Sequence, residues 1–312
     1  MENLIFSLNA TIPLFLVMVV GWFLRKIGIL NEAFCKAANK FNFTVTLPVL
    51  LFKDLYESNV KESFDLKYVL FCAIVTSIAF WGLWGISKII WKGKNFIGEF
   101  VQACYRSSAA VLGIALITNI YGNAGMVPMM IIGAVPLFNI YAVLVLTFES
   151  PGNKNKTVKD AVLGICKNPI IIAIIIGVIC SMIDFEMPTM LESTISNIAR
   201  MASPLALVVI GASFEGKKAI ALLKPSITAA IVKLIVLPAI FLPIAIKMGY
   251  TNGHLVAILI MLGSPSTPSS YVMAKSMGSE GTLTASAVVL TTLGSAFSLT
   301  VILFILRTIG VV

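Results

Sequence analysis

Two segments of the chain combine helix-breaking residues with hydroxyl side chains. The later segment, residues 263–271, reads Gly-Ser-Pro-Ser-Thr-Pro-Ser-Ser-Tyr. Its two prolines lack a backbone N–H and clash with the preceding turn, so a helix is expected to break there. The segment predicts either a substrate site or a tightly packed kink. Its candidate binding residues are Pro265, Ser266, Thr267 and Ser269, with Pro268 as a helix-breaking residue.

The earlier segment, residues 104–115, is rich in small and polar residues but contains no proline. Its candidate residues are Arg106, Ser107 and Ser108, with Gly113 as a point of helix interruption. Small residues let a helix unwind or let another helix cross closely. If both segments are broken and cross, the amino-terminal ends of their second halves direct partial positive charge at the middle of the membrane. An anionic group can bind there.

Four cationic residues inside apolar stretches are considered for the site: Lys40, Arg106, Arg200 and Lys233. None of the 14 acidic residues is expected near the centre of such a stretch. A cation at the bilayer centre costs about 2.5 to 3.5 kcal/mol on insertion scales, so these side chains should face protein or water. Lys40 and Arg200 lie close enough to an end to snorkel to the headgroups. Arg106 or Lys233 is therefore expected to give the site its positive potential.

This charge asymmetry favours an anionic substrate. Coupling to H⁺ through a buried carboxylate is disfavoured because no acid is expected at membrane depth. The single histidine, His254, is interpreted as an interfacial residue. Coupling to Na⁺ through backbone carbonyls and hydroxyls remains open, so the coupling ion is left as H⁺ or Na⁺.

The composition places most of the chain in lipid. Of the 312 residues, 58% are hydrophobic and 12% are charged, and the mean hydropathy is +0.98. A typical soluble chain carries about 25% charged residues. A cytosolic enzyme, a nucleic-acid-binding domain and a disulfide-stapled secreted module are thereby excluded. The five cysteines form no CxxC pair and are interpreted as packing thiols, and no metal site or cofactor is predicted.

The pattern predicts an all-α integral membrane protein with ten transmembrane helices. A bilayer core about 30 Å thick needs about 20 mainly apolar residues per helix. The second of the ten windows is the weakest, because Lys36, Lys40 and Pro48 lie within it. The windows are residues 4–24, 34–52, 69–90, 100–120, 124–148, 162–183, 195–214, 225–246, 255–274 and 283–306.

The loops between these windows predict the orientation. With ten spans, fourteen Lys and Arg residues fall in loops on one side of the membrane and five on the other. Cytoplasmic loops carry the excess of Lys and Arg. Both termini are therefore expected to be extracytoplasmic, in a multi-pass protein of the plasma membrane, with residues from Leu4 onward forming a retained first span.

A polar stretch divides the ten windows into two sets of five. The predicted units are residues 1–148, a cytoplasmic linker at 149–160, and residues 161–312. An odd number of spans in each half forces the halves into opposite orientations. Pro48 and Pro204 each lie in the second span of their half, which is a weak sign of an internal repeat. Both are expected to shape the neighbouring helices. Inverted repeats with interrupted helices are a recurrent architecture of secondary transporters.

The chain resembles the auxin efflux carrier family, which covers plant auxin exporters and bacterial permeases often assigned to malate or malonate. The resemblance extends over nearly the whole length and depends on the order and spacing of several short motifs. These are Gly21-Trp22-Phe23-Leu24-Arg25-Lys26, Leu47-Pro48, Asn168-Pro169, Ser203-Pro204-Leu205-Ala206-Leu207 with Gly211-Ala212-Ser213, Lys233-Leu234 with Leu237-Pro238, and residues 265–271.

The resemblance implies ten helices in a 5+5 inverted repeat, divided into a scaffold and a transport domain. It also implies that the fourth and ninth helices are broken and cross at the site, and that the protein is a homodimer. Two positions depart from the family pattern. Where the family commonly has Arg-x-Asn, this chain has Arg106-Ser107-Ser108, and where the family has Gly-x-Pro, it has Gly113-Ile114-Ala115. The residue aligned with the substrate-binding asparagine is therefore a serine.

The function expected from these observations is secondary active transport of a small organic anion, such as a carboxylate, by alternating access. One alternative is a Na⁺-coupled anion symporter similar to the bile acid symporters, which ion dependence would separate. Another is a non-transporting membrane sensor, although no soluble output domain remains after ten spans. A membrane-embedded enzyme is disfavoured because no paired acids, His cluster or Ser–His arrangement occurs at membrane depth.

Overall fold

The computed structural model describes residues 2–58, 65–122, 125–150, 157–183 and 185–312, and within these ranges every regular element is helical. Two five-residue π-helical turns, Asn42–Thr46 and Val232–Val236, interrupt longer helices. The α-helices are α1 (Glu2–Lys26), α2 (Glu32–Phe41), α3 (Leu47–Tyr56), α4 (Leu66–Ile90), α5 (Ile97–Tyr105), α6 (Ala109–Tyr121), α7 (Val127–Glu149), α8 (Val158–Lys167), α9 (Pro169–Met182), α10 (Thr189–Ala212), α11 (Gly216–Ala221), α12 (Leu223–Ile231), α13 (Leu237–Lys247), α14 (Asn252–Gly263), α15 (Pro268–Ser276) and α16 (Thr282–Thr308).

Five of these helices are long and apolar enough to cross a membrane: α4, α7, α10, the run Leu223–Lys247 and α16. Two bent pairs, α8 with α9 at 58° and α14 with α15 at 40°, raise the number to seven in the described part of the chain. Many large apolar side chains face outward, among them Ile74, Ile78 and Trp81 on α4. Such extended apolar faces are expected where lipid is the solvent.

The segment with the weakest hydropathy is helical throughout. Asn31 begins it as an N-cap, with its side-chain oxygen accepting a hydrogen bond from Phe34 N at 2.8 Å. The helix then continues from Glu32 through the π turn to Tyr56. The π turn ends immediately before Leu47-Pro48, where the proline supplies no backbone donor. The helix therefore extends four residues beyond Phe52, the end expected from the sequence.

The predicted sixth span, residues 162–183, is divided at Asn168, which caps α9 by accepting a hydrogen bond from Ile170 N at 2.9 Å. Before it, α8 is amphipathic and buries only Ala161. The α9 helix of 14 residues is only about 21 Å long at 1.5 Å per residue. Of the predicted linker 149–160, residues 151–156 lie outside the described ranges.

Glycines allow several helix pairs to approach at backbone distance. A Cβ atom on Gly21 of α1 would lie 2.2 Å from Val208 O of α10, and one on Gly177 of α9 would lie 2.7 Å from Phe52 O of α3. Close approach through small residues is the usual way in which helices associate in lipid, where apolar side chains gain nothing by leaving it. The pairs α1–α10 and α3–α9 are accordingly packed along much of their length.

Candidate functional site

Two non-helical segments meet inside the helix bundle. One comprises residues 106–108, between α5 and α6, and the other comprises residues 264–267, between α14 and α15. The backbone N–H of Ser108 donates a hydrogen bond of 2.9 Å to the carbonyl oxygen of Pro265. A helix break leaves backbone groups unpaired, and at membrane depth protein must satisfy them. Here each break supplies a partner for the other.

Ser107 and Lys233 fix the two breaks from one side. The Ser107 hydroxyl donates a hydrogen bond to Met261 O, in the last turn of α14. The Lys233 ammonium, in the second π turn, donates to Tyr105 O at 3.2 Å, to Met261 O at 3.3 Å and to the Ser107 hydroxyl. Lys233 is 0% exposed, so it lies within the protein rather than at a lipid headgroup.

Arg106 lies at the same crossing with different partners. Its Nη1 donates to Gln102 Oε1 at 2.9 Å and to Met273 Sδ at 3.0 Å. Its Nη2 donates to Asn139 Oδ1 and to Ser269 Oγ, both at 3.0 Å. The side chain is 2% exposed, and its Nε has no hydrogen-bond partner in the part of the chain that the structure describes. All four partners are neutral, so the guanidinium keeps its full charge without a carboxylate beside it.

A cavity of about 580 Å³, counted with its opening, lies beside the two breaks. Residues from α3, α7, α10 and α15 line it together with residues of the first break. Six of the residues singled out in the sequence are among its walls: Arg106, Ser107, Ser108, Thr267, Pro268 and Ser269. Leu47, Leu50, Leu51, Val135, Phe138 and Ala206 form much of its apolar surface.

Three other predicted binding residues do not line this cavity. Pro265 contributes its carbonyl to Ser108, and Lys233 lies behind Ser107. Ser266 lies away from the cavity wall: its backbone N–H donates to Thr291 Oγ1 at 3.0 Å, and its hydroxyl has no partner among the described residues.

The remaining structural candidates have packing roles beside the cavity. Gly113 faces α14 and α7, where an added Cβ would lie 3.2 Å from Ile260 and 3.3 Å from Val127. Pro48 and Pro204 are not cavity residues, but each has a neighbour that is: Leu47 and Ser203.

The four cations identified in the sequence separate into two classes. Arg106 and Lys233 are buried, whereas the side chains of Lys40 and Arg200 are exposed. Only the buried pair belongs to the crossing of the two breaks.

The expectation that no acid lies at the site is wrong for Asp54, which lines the cavity. The sequence ended the second span at Phe52 and so left Asp54 in a loop. Because α3 continues to Tyr56, Asp54 remains on the helix and faces inward. Its carboxylate forms no hydrogen bond within the described residues.

Sequence reasoning also missed Asn139 and Gln102, the amides that hold Arg106. Asn139 is 1% exposed on α7, and its Nδ2 donates to Val135 O at 2.9 Å, which fixes its oxygen toward the guanidinium. A signal was available, since an amide within an apolar stretch of more than twenty residues needs a polar partner. Gln102 precedes Arg106 by one helical turn on the same face.

The arrangement can bind an anion by three means. Arg106 supplies a positive charge at the cavity wall, and Ser108, Thr267 and Ser269 supply hydroxyls. The helices α6 and α15 begin at Ala109 and Pro268, both of which line the cavity. Unpaired N–H groups in a first helical turn carry partial positive charge. Within the described residues, no group of three His, Cys, Asp or Glu side chains could hold a metal ion.

Comparison with known proteins matches the chain to membrane transport proteins. A family model described as "Membrane transport protein" matches residues 6–303. A protein of Methanothermobacter thermautotrophicus, described as an uncharacterized transporter, is 22% identical over 298 residues, covering 92% of this chain and 94% of its own. The uncharacterized transporter YfdV of Escherichia coli K12 is 23% identical over 283 residues, covering 87% of this chain and 88% of its own.

Proposed function

Since the chain belongs to the auxin efflux carrier family of membrane transport proteins, and is therefore a multi-pass membrane transporter, we propose that its substrate is a small organic anion bearing a carboxylate. The family resemblance stated from the sequence is confirmed. The substrate class and the mechanism are the proposal. The observation that carries it is Arg106, a buried guanidinium at the cavity wall whose partners are all neutral.

An anion in the cavity would complete this site. A carboxylate is planar and matches the guanidinium fork, and it would meet the amino-terminal ends of α6 and α15. The cavity beside the two breaks is small, so the proposed substrate is a compact acid. The apolar wall formed by α3 and α7 leaves room for a short carbon skeleton.

Transport is proposed to proceed by alternating access, in which the transport domain moves against the scaffold of a protein built from two inverted five-helix repeats. Two helix–helix contacts, each with a counterpart in the other half of the chain, support this repeat. The pair α1–α10 corresponds to α9–α3, with Gly21 and Gly177 at the equivalent contacts. The pair α4–α7 has Gly133 against Val69 O, and the Leu223–Lys247 run packs on α16 through Gly294 against Leu234. In this arrangement α5–α6 and α14–α15 are the two broken helices of the transport domain.

Asp54 is the proposed proton carrier. It faces the same cavity as Arg106, and its negative charge opposes an anionic substrate. Protonation of Asp54 removes that repulsion, so one H⁺ would accompany each bound anion.

The direct test is transport in proteoliposomes with labelled malate, malonate and indole acetate. Arg106→Gln is expected to abolish uptake of the transported acid, whereas Arg200→Gln, which changes an exposed arginine on α10, is expected to leave uptake unchanged. Equal uptake by the wild type and Arg106→Gln would contradict the proposed site. Uptake of none of a broad carboxylate panel, with no ligand raising the thermal stability of the protein, would contradict the substrate class and favour the sensor.

The orientation in the membrane and the assembly into a dimer are proposed as well, and each has its own test. Both termini are placed outside the cytoplasm of a plasma-membrane protein, with α8 on the cytoplasmic side. Cys166 of α8 is exposed, so a membrane-impermeant maleimide should label it in opened vesicles and not in intact cells. A homodimer is expected from the family and would be detected as twice the protomer mass by native mass spectrometry.

A further inference from the structure

The hydrogen bonds around Lys233 determine its charge. Its Nζ contacts three oxygens: Tyr105 O, Met261 O and Ser107 Oγ. The two carbonyls can only accept. The Ser107 hydroxyl uses its proton toward Met261 O, so it also accepts from Lys233. Three acceptors require three N–H donors, which only the ammonium form of lysine has. The site therefore holds a fixed positive charge.

The location of this charge is specific to the crossing. Tyr105 is the last residue of α5, and Met261 lies in the last turn of α14. Carbonyls at the end of a helix lack N–H partners and carry partial negative charge. Lys233 thus neutralises the carboxyl-terminal ends of both first half-helices. The amino-terminal ends of the second half-helices are left to face the cavity.

The second π turn places Lys233 at this position. In Val232–Val236 the widened turn brings two consecutive side chains, Lys233 and Leu234, into the interior. The turn ends before Pro238, which supplies no backbone donor to the helix. The Lys233 side chain therefore enters from α12 and α13, elements other than the two broken helices that it joins.

We propose that the Lys233 ammonium is a built-in cation, occupying the oxygen site where a cation-coupled carrier would need a dissociable Na⁺. The term carrier depends on the proposed function, whereas the oxygen site does not. Carbonyl and hydroxyl oxygens at helix ends are the ligands that Na⁺ takes in transporters with broken helices. With Lys233 in place, the crossing is complete without a metal ion. Lysine at this position thereby excludes Na⁺ coupling at the crossing.

The first experiment measures the thermal unfolding midpoint, Tm, of the purified protein with no organic substrate present. Wild-type Tm is expected to be the same in sodium chloride and in choline chloride at equal ionic strength. Lys233→Ala removes the ammonium and opens a space beside the three oxygens, so its Tm should fall. Lys247→Ala, an exposed lysine on α13, is the matched control and should leave Tm unchanged.

Cation rescue separates a cation site from a general packing role. Methylammonium has a methyl group and three N–H donors, and it should raise the Tm of Lys233→Ala saturably, by about 3 °C or more. Tetramethylammonium has the same charge but no N–H donor, and it should have no effect. Sodium is expected to act in the same direction as methylammonium on this variant and to have no effect on the wild type.

Two results would overturn the proposal. One is a saturable rise of wild-type Tm with Na⁺, which would show a separate dissociable cation in use. The other is a folded Lys233→Ala protein whose Tm responds to none of the small cations. If Lys233→Ala does not fold, Ser107→Ala decides: it removes one oxygen but keeps the ammonium, so its Tm should be lower and still independent of Na⁺. A Na⁺-dependent Tm in Ser107→Ala contradicts the proposal. Because no arm contains an organic acid, failure here leaves the proposed substrate class standing.

Discussion

Arg106 and Lys233 are two buried cations at one crossing, and their surroundings differ. Lys233 has as many acceptors as donors and lies behind Ser107, away from the cavity. Arg106 lies at the cavity wall and is held by two amides, a hydroxyl and a thioether, and its Nε is unpaired within the described ranges. The comparison indicates that Lys233, whose three N–H donors are all paired, supports the fold. Arg106, which lies at a cavity and has only neutral partners, is available to a ligand.

Removal of Lys233 is expected to have the largest effect on stability. Lys233→Met leaves the carbonyls of Tyr105 and Met261 without their donor, and an unsatisfied buried polar group costs about 1 to 3 kcal/mol. We expect a loss of roughly 3 kcal/mol in the free energy of unfolding. Denaturant unfolding in mild detergent measures it. A loss below about 0.5 kcal/mol, typical of surface changes, would contradict the structural role assigned to Lys233.

Arg106→Gln is expected to show the opposite pattern. Asn139 and Ser269 line the cavity, where water can replace the lost donor, so stability should change less than in Lys233→Met. The charge is lost, and the affinity for the transported anion should fall about 100-fold, corresponding to about 2.8 kcal/mol. Equilibrium binding of the labelled acid measures the affinity. An unchanged dissociation constant would remove the distinction between the two cations.

Asn139→Asp tests whether neutral partners are what leave Arg106 available. The change is nearly isosteric and places a carboxylate 3.0 Å from Nη2, at the position of the amide oxygen. An internal ion pair then competes with the substrate, and the affinity for the anion should fall about tenfold, or 1.4 kcal/mol. Asn197→Asp, an exposed amide on α10, is the control. Tighter anion binding in Asn139→Asp would reverse the argument.

Asp54→Asn tests the opposing charge at the cavity. In the wild type, lowering the pH protonates Asp54, removes its repulsion of the anion and should increase uptake. In Asp54→Asn this repulsion is absent at every pH, so uptake should lose this pH dependence and binding at neutral pH should tighten about threefold, or 0.65 kcal/mol. Initial uptake rates across a pH series measure both effects. A pH profile identical to that of the wild type would show that Asp54 carries no proton in the cycle.

Ser108→Asn is expected to have a similarly small effect. Ser108 lines the cavity with one hydroxyl donor, whereas an amide offers two N–H donors. One additional hydrogen bond contributes about 0.5 to 1.5 kcal/mol, so carboxylate affinity should rise by a few fold. Ser203→Asn on α10, at the same cavity but away from the crossing, should give less.

Membrane residence was predictable because it depends on composition, which no tertiary contact changes. The separation of the cations was partly predictable, since Lys233 lies farther from the ends of its apolar stretch than Lys40 and Arg200 do. The distance from the end of the stretch does not distinguish Arg106 from Lys40. Helix ends were less certain. A difference of four residues at the end of α3 moved Asp54 from an expected loop to the cavity, because hydropathy averages over a window and does not register the face of one side chain.

The partners of Arg106 could not be predicted from local sequence. Asn139 and Ser269 lie 33 and 163 positions away in the chain, and their approach depends on how α7 and α15 pack on α5. The different roles of Arg106 and Lys233 also depend on contacts between segments that are far apart in the chain. Lys233 reaches Tyr105 O across 128 positions, through a π turn that the sequence marks only by the Leu-Pro that follows it.

The amino-acid sequence alone determined that this chain belongs in lipid, that cations and not acids prevail in its apolar stretches, and that residues 263–271 resist a continuous helix. These are consequences of side-chain chemistry and of the missing N–H of proline. Tertiary structure decided that the backbones of Ser108 and Pro265 are hydrogen-bonded and that all three donors of Lys233 are paired. It also decided that Arg106 and Asp54 line the same cavity. Those properties depend on distances between distant helices, which only packing sets.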